Sequence, residues 1–229
     1  MSDNVISYRE MCDRENASLQ RGMNFGLAPT HSVILMSVRP NAPYLDRIED
    51  GGTTLIYEGH DWPKTLSHRN PKTEDQPEFL PSGNPTQNGL FHTAAQQTKK
   101  GLRPPEQVRA YEKLQKGIWA YNGVFQLVDS WKEPDGLRWV FRFRLEAVEG
   151  ENGPIQTRVD DRVRRRIIPT TVKLEVWKRD AGKCVVCGAK DELHFDHDLP
   201  YSLGGSSIVA KNVQLMCARH NLQKSNRIE

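Results

Sequence analysis

Three cysteines and one histidine near the C-terminal end constrain this chain most. They form two close pairs, Cys184-x2-Cys187 and Cys217-x2-His220. A zinc ion prefers four tetrahedral sulfur or nitrogen ligands, and two such pairs let two short turns clamp one ion. An odd cluster of cysteines is a poor disulfide framework. The alternative, a redox C-x-x-C with an unrelated third cysteine, lacks a thioredoxin-like strand and helix around it.

The size of the surrounding segment agrees with a metal-stabilised unit. Residues 171–229 are too few for burial alone to hold them together reliably, so a bound metal ion makes physical sense. Cys12 stands alone and is expected to be a reduced thiol. A zinc–thiolate site without disulfides fits a reducing compartment. The N-terminal segment lacks the features of a signal peptide, and no apolar run approaches a membrane span, so we expect a cytoplasmic protein.

Charge is unevenly distributed along the 229 residues, which carry a net charge of +3. Residues 1–157 hold 18 Lys and Arg against 20 Asp and Glu, a net of −2; residues 158–229 hold 14 against 9, a net of +5. Such asymmetry suggests that the C-terminal part meets a polyanion, although a solvated surface gives the same counts. The mean hydropathy of −0.67 favours compact cores of modest size.

Hydrophobic patterning predicts a mixed, mostly β N-terminal part. Apolar residues at 33–38 and 53–57 favour strands. The segments 119–131 and 137–148, the second of them alternating, lie on either side of a Glu133-Pro134-Asp135-Gly136 turn and predict a hairpin. The second of these segments is expected to have a basic outer face that includes Arg142. Residues 59–90 show little periodicity and predict a long loop.

Two helices and a linker complete the predicted organisation. Residues 106–117 predict a helix, because Val108, Tyr111 and Leu114 share a helical face. Another helix is expected to begin at Thr170 or Thr171. The predicted organisation is therefore a domain over residues 1–150, a basic linker over 151–170 and a domain over 171–229. The linker residues Arg164, Arg165 and Arg166 are candidate phosphate contacts or simply solvated.

Polar residues around the zinc pairs follow a known order. Asp196-His197 comes after an apolar strand, Asn212 precedes the second pair, and Asn221 directly follows His220. Together with the cysteine spacing, this order over roughly residues 172–226 resembles the zinc-containing branch of the HNH, or ββα-metal, nucleases. The resemblance implies a structural Zn2+ held by the two pairs.

The same resemblance implies catalytic roles. It makes His197 the general base, Asp196 and Asn221 the ligands of a catalytic Mg2+ or Mn2+, and Asn212 a residue that holds the loop and orients the histidine. Hard cations favour such oxygen ligands. A zinc knuckle without catalysis is the alternative for the whole segment.

Three nearby residues have open roles. His194 competes with His220 as the fourth zinc ligand, although the C-x2-H spacing favours His220. Arg219 and Lys224 are candidate phosphate contacts, with a solvated helix face as the alternative.

The N-terminal part resembles a second family over residues 25–148. The matching pieces are Phe25-Gly26, the strand at 33–38, residues 44–59 with an Asp-Gly-Gly turn, Tyr121-Asn122-Gly123 and Phe143-Arg144-Leu145. They resemble the SRA (or YDG) domain, a PUA-like β-barrel that flips a modified cytosine out of DNA. Asn122 stands where the family name has Asp.

The SRA resemblance implies a pocket for a flipped base. Its walls would be Tyr44 and Tyr57, Asp46 would accept from the base edge, and His60 would line the pocket or the adjacent groove. Stacking on aromatic rings offsets part of the cost of flipping. The alternatives are core aromatics for the two tyrosines and a turn carboxylate for Asp46.

The sequence as a whole predicts an α+β chain with an SRA-like barrel and a zinc-stabilised HNH unit. We expect a modification-dependent DNA endonuclease, an enzyme that reads 5-methylcytosine or 5-hydroxymethylcytosine in duplex DNA and cuts nearby. A double-strand break would need a homodimer or two binding events. The alternatives are a nuclease that reads phosphorothioate or plain sequence, a non-catalytic reader and an RNA-binding protein.

Overall fold

The structure is a computed structural model that describes residues 3–148, 167–198 and 209–224. The strands in these ranges are β1 (Asp3–Ser7), β2 (Met23–Ala28), β3 (His31–Met36), β4 (Arg47–Glu49), β5 (Thr54–Glu58), β6 (Glu106–Gln115), β7 (Ile118–Pro134), β8 (Trp139–Ala147), β9 (Leu193–His197) and β10 (Val213–Cys217). The helices are α1 (Tyr8–Glu15), α2 (Gln87–Lys99), α3 (Thr170–Arg179) and α4 (Ala218–Lys224).

The ten strands belong to one sheet. Seven of them follow the order β10-β9-β1-β7-β6-β3-β2, while β8 pairs with the second half of β7 and continues through β5 to β4. Paired strands are antiparallel except β3 and β6, which are parallel. The predicted hairpin is confirmed as β7 and β8, and so is the broader prediction of an α+β chain.

The C-terminal strands continue the sheet and share a core with its other strands. β1 pairs with β7 along one edge and with β9 along the other. Leu114 and Ala120, from β6 and β7, pack in one cluster with Val172 of α3 and Phe195 of β9. Ile168, near the end of the predicted linker, is buried in the same cluster. Residues 149–166, which include most of that linker, lie outside the described residues.

The predicted helix over residues 106–117 is wrong, because most of this segment forms β6. Val108, Ala110 and Leu114 are buried at alternate positions, as expected for a strand. Glu112 occupies the remaining inward position, and this charge disguises the alternation. The predicted loop over 59–90 also ends early, because α2 begins at Gln87 after a Thr86 cap.

The basic outer face predicted for β8 is corrected at Arg142, while Arg144 is 43% exposed. The Arg142 side chain is 3% exposed and forms ion pairs with Glu58 at 2.8 Å and Glu133 at 2.7 Å. Glu58 is 84 residues away in sequence, so the pattern within β8 gives no sign of this burial.

A bulge in β7 turns one polar side chain inward. Ala110 pairs with Gly123 and Tyr111 pairs with Tyr121, so Asn122 is the additional residue at the register shift. Gly123 has a φ of 102°, a backbone conformation that favours glycine. Asn122 is 4% exposed, and its amide donates to Glu112 and accepts from Lys173.

This amide belongs to a buried polar cluster that joins the sheet to α3. Lys173 Nζ lies 3.0 Å from Glu112 Oε2 and 2.9 Å from Asn122 Oδ1. The Thr170 hydroxyl donates to the other carboxylate oxygen of Glu112. Lys173 and Glu112 are both fully buried, so each charge depends on its partners.

We expect Lys173→Met to lower the free energy of unfolding by about 3–5 kcal/mol, because it leaves the Glu112 carboxylate buried without its counter-ion. The control is Lys99→Met, since Lys99 pairs with Asp129 at 2.8 Å but is 58% exposed. The control should cost at most about 1 kcal/mol. Urea unfolding measures both values, and similar costs would contradict the role of the cluster. The double variant Glu112→Gln/Lys173→Met should recover part of the loss.

Candidate metal centre and nucleic-acid interface

Cys184, Cys187, Cys217 and His220 come together in space. Their ligand atoms all lie within 4.8 Å of one another. Nδ1 of His220 is 3.5 Å from Sγ of Cys184 and 3.3 Å from Sγ of Cys217, and the sulfurs of Cys187 and Cys217 are 3.8 Å apart. The structure thus forms the four-ligand cluster from the predicted residues, and it includes His220 rather than His194.

These separations fit a tetrahedral metal site. With Zn–S bonds of about 2.3 Å and Zn–N bonds of about 2.0 Å, a tetrahedron has S–S edges of about 3.8 Å and S–N edges of about 3.5 Å. The three separations given above are close to these values. The three thiols and one imidazole are also a ligand set that zinc prefers.

Local backbone bonds place the first pair of ligands. Gly188, with a φ of 74°, donates its N–H to the Cys184 carbonyl and closes the turn that holds Cys187. The N–H of Val185 donates to the Leu215 carbonyl, which ties this turn to β10. The second pair spans the junction between β10 and α4.

Thiol acidity differs between the two cysteines of this turn. Burial raises the pKa of Cys184, but backbone N–H groups of Cys217, Cys187 and Val186 outweigh it and lower that pKa to about 6. A backbone N–H from Ala189 acts to lower the pKa of Cys187, but the neighbouring thiols and desolvation raise it overall. Cys184 is therefore the more readily ionised ligand of the two.

The predicted catalytic residues gather around the ends of β9 and β10. Asp196 and His197 are the last two residues of β9, opposite Gln214 and Val213 of β10. Asn212 directly precedes β10, and its carbonyl accepts the N–H of Asp198 at 2.9 Å. Asp196, His197 and Asn212 therefore lie at the same end of two antiparallel strands.

Lys224 connects the end of α4 to the end of β9. Its ammonium donates to Asp196 Oδ2 and to the His197 carbonyl, both at 2.9 Å, and the residue is 2% exposed. The candidate phosphate contact Lys224 thus points to Asp196 rather than outward. Arg219 is exposed on the same helix. Asn221 lies three residues before Lys224, so both occupy neighbouring positions on one helix face.

The other candidate residues near this site fall outside the cluster or the described ranges. His194 lies in β9 opposite Met216, and burial lowers its pKa. Arg164, Arg165 and Arg166 lie outside the described residues, so their predicted phosphate contacts stay predictions.

The SRA-type residues Tyr44, Tyr57 and His60 form one aromatic group. The His60 ring stacks on Tyr44, with centroids 5.0 Å apart and planes 9° apart. Its Nε2 atom forms a 2.9 Å hydrogen bond with the Tyr57 hydroxyl. Tyr57 is 2% exposed in the main core cluster and also hydrogen-bonds to the Gly22 carbonyl. Burial lowers the pKa of His60 to about 4, so its imidazole is neutral near pH 7.

Asp46 lies beside this group but makes backbone contacts. Its two carboxylate oxygens accept the N–H groups of Ser37 at 2.8 Å and Glu58 at 3.0 Å. Burial raises the pKa of Asp46 to about 7 against the effect of these bonds. Asp46 thus joins the ends of β3 and β5, as expected for the structural alternative, and recognition of a base edge would use the same oxygens.

Sequence reasoning missed the residues that hold the aromatic group in place. Asn88 of α2 bonds to the backbone of His60 on both sides, at 2.8 Å each. Lys72 Nζ lies 4.0 Å from the centroid of Tyr44 and pairs with Asp61 at 2.9 Å. Arg138 pairs with the same Asp61 at 2.6 Å. These partners are far apart in sequence, and no local pattern joins them.

None of the four helices in the described ranges has the length and apolar character needed to cross a lipid bilayer.

Comparison of the sequence with models of protein families found no match, and comparison with curated proteins found none either. Among solved structures, the chain is similar to the SUVH5 SRA domain in complex with hemimethylated CG DNA: 19% identity, 66% of this chain and 89% of that chain covered, TM-score 0.44. For the same domain bound to fully hydroxymethylated CG DNA, the identity is 18%, the match covers 65% of this chain and 89% of that chain, and the TM-score is 0.43. For KRYPTONITE in complex with mCHG DNA and SAH, the identity is 17%, the match covers 68% of this chain and 34% of that chain, and the TM-score is 0.44.

Proposed function

We propose that the chain is a modification-dependent DNA endonuclease. Its N-terminal part would flip and recognise a modified cytosine, and its C-terminal part would hydrolyse a nearby phosphodiester bond. The observation that carries the proposal is the placement of Asp196-His197 at the end of β9, beside a helix whose start lies within the Cys3His cluster. This is the arrangement that the HNH resemblance assigns to catalysis.

Hydrolysis joins a water oxygen to phosphorus and breaks the bond from phosphorus to the 3′ oxygen. His197 would accept the proton of the attacking water, because a neutral imidazole titrates near working pH. Asp196 and Asn221 offer the oxygen atoms that would hold Mg2+ or Mn2+. When bound, such an ion stabilises charge on the phosphate and assists the leaving oxygen. The Cys3His cluster would fix α4 and with it Asn221, which directly follows His220.

The ion pair between Lys224 and Asp196 favours a second candidate function. The Lys224 ammonium lies 2.9 Å from a carboxylate oxygen that the first proposal needs as a metal ligand. A chain in which this ion pair persists would bind modified DNA without cutting it. The two candidates therefore differ in whether divalent ions elicit cleavage.

One panel of duplexes tests the proposal. Four otherwise identical DNAs would carry cytosine, 5-methylcytosine, 5-hydroxymethylcytosine or a phosphorothioate, each incubated with Mg2+ or Mn2+. We expect cleavage of the two cytosine-modified duplexes and at least tenfold slower cleavage of the others.

Other results of this experiment would indicate one of the alternative functions. Equal cleavage of all four duplexes would exclude modified-base recognition, and cleavage confined to the phosphorothioate would identify another mark. Selective binding without cleavage would leave a reader, and tighter binding of RNA in competition would indicate an RNA-binding protein. Sedimentation of the DNA complex would show whether the protein cuts as a dimer.

A further inference from the structure

We propose that the His60 side chain mimics the flipped base: it covers Tyr44 in the free protein and rotates away when a base enters. The inference rests on the base flipping proposed above and adds the residue that controls entry to the pocket. It would make recognition an exchange of one aromatic ring for another.

Geometry places the imidazole where a base is expected to stack. A flipped cytosine would lie parallel to the Tyr44 ring and present polar ring atoms at its edge. The His60 ring does both, since it lies 9° from the plane of Tyr44 and its Nε2 atom bonds to Tyr57. Base and imidazole would thus compete for the same aromatic face.

Packing shows that the space beside the imidazole is filled. A Cβ atom at Gly22 would lie 2.7 Å from two ring atoms of His60 and 2.8 Å from the Tyr57 hydroxyl. A base therefore has no room next to the imidazole on this side, and it must displace the ring to reach Tyr57.

Of the two groups that contact the Tyr44 ring, the His60 imidazole has the fewer polar contacts. Lys72 is fixed by Asp61 at 2.9 Å and by the Pro43 carbonyl at 2.5 Å. The only hydrogen bond of the His60 ring to the described part of the chain is to Tyr57. Asn88 holds the His60 backbone through both its N–H and its carbonyl, so displacement requires rotation of the side chain alone. The neutral ring leaves no ion pair behind.

If only a fraction of the molecules has an open pocket, the apparent affinity for DNA is the intrinsic affinity multiplied by that fraction. We expect His60→Ala to bind a 5-methylcytosine duplex about tenfold more tightly than the wild type. A duplex with an abasic site at the same position has no base to insert, so its affinity should change less than twofold. Fluorescence anisotropy with labelled duplexes measures both.

A matched control is His68→Ala. His68 also stacks on an aromatic ring, that of Trp62, at a centroid distance of 4.4 Å, and its Nδ1 atom bonds to Glu74 rather than to Tyr57. The affinity of the His68→Ala variant for every duplex should stay within twofold of the wild-type affinity. Unchanged or weaker binding of the 5-methylcytosine duplex by His60→Ala would overturn the inference.

A second measurement uses the wild-type protein and does not depend on how the variant folds. With 15N-labelled histidine, the ring resonances of His60 should shift on addition of the 5-methylcytosine duplex and stay in place with the abasic duplex. Unchanged resonances in the modified complex would contradict displacement. If wild type binds the modified and plain duplexes equally, the proposed function fails and the inference with it. If the wild type prefers the modified duplex but neither the His60→Ala affinity nor the His60 resonances change as expected, the inference fails and the proposed function stands.

Discussion

His197→Ala is expected to reduce DNA cleavage by about a hundredfold to ten-thousandfold, the usual contribution of a general base. The side chain lies at the end of β9, next to Asp196, while the zinc ligands lie in other segments of the unit. Zinc content, thermal stability and binding of modified DNA should therefore be retained. Single-turnover cleavage at saturating Mg2+ gives the rate of the chemical step.

His194→Ala is the matched control for this variant. His194 lies on the same strand, three residues earlier, and is half-buried. We expect its cleavage rate to stay within about threefold of the wild type, because the HNH resemblance gives it no catalytic role. Equal losses in the two variants would indicate a general effect on β9, and persistent cleavage by His197→Ala would exclude this histidine as the base.

Short-range patterns predicted the metal cluster and the order of elements around it. Within each pair, the two ligands are separated by two residues. One turn therefore places the first pair, and the start of one helix places the second. The confirmed hairpin of β7 and β8 likewise depends on alternation and on a turn within one segment. These features needed no knowledge of distant contacts.

Long-range charge pairs account for what the sequence did not reveal. Glu112 looks like a surface residue in β6 until Lys173, 61 residues later, is placed beside it. Arg142 and Glu58 are 84 residues apart, and their pairing buries an arginine that the pattern of β8 predicted to be exposed. Lys224 and Asp196 are 28 residues apart, and their contact changes the interpretation of both residues. No pattern within a single segment identifies such partners.

The second large effect concerns the ligand Cys217, which stands at the junction of β10 and α4. The start of α4 lies within the Cys3His cluster, so the position of this helix should depend on the bound metal. We expect Cys217→Ser to lose the bound zinc and at least about 5 kcal/mol of stability, since structural zinc sites in small domains contribute about 10 kcal/mol or more. For a chain of this length the loss corresponds to a decrease in Tm of about 10–20 °C.

The effect should be selective for the cluster and should reach the neighbouring core. Trp177 packs against the core cluster that contains Phe195, and Cys184 and Cys217 belong to the same cluster. The fluorescence of Trp177 should therefore change when a chelator removes the zinc. Cys12→Ser is the control, because Cys12 lies in α1 and packs against a different core cluster, and it should keep one zinc per chain and a Tm within about 3 °C of the wild type. Metal analysis and thermal unfolding measure both variants. A full complement of zinc in Cys217→Ser, or an unchanged Tm after chelation, would contradict a structural role for the metal.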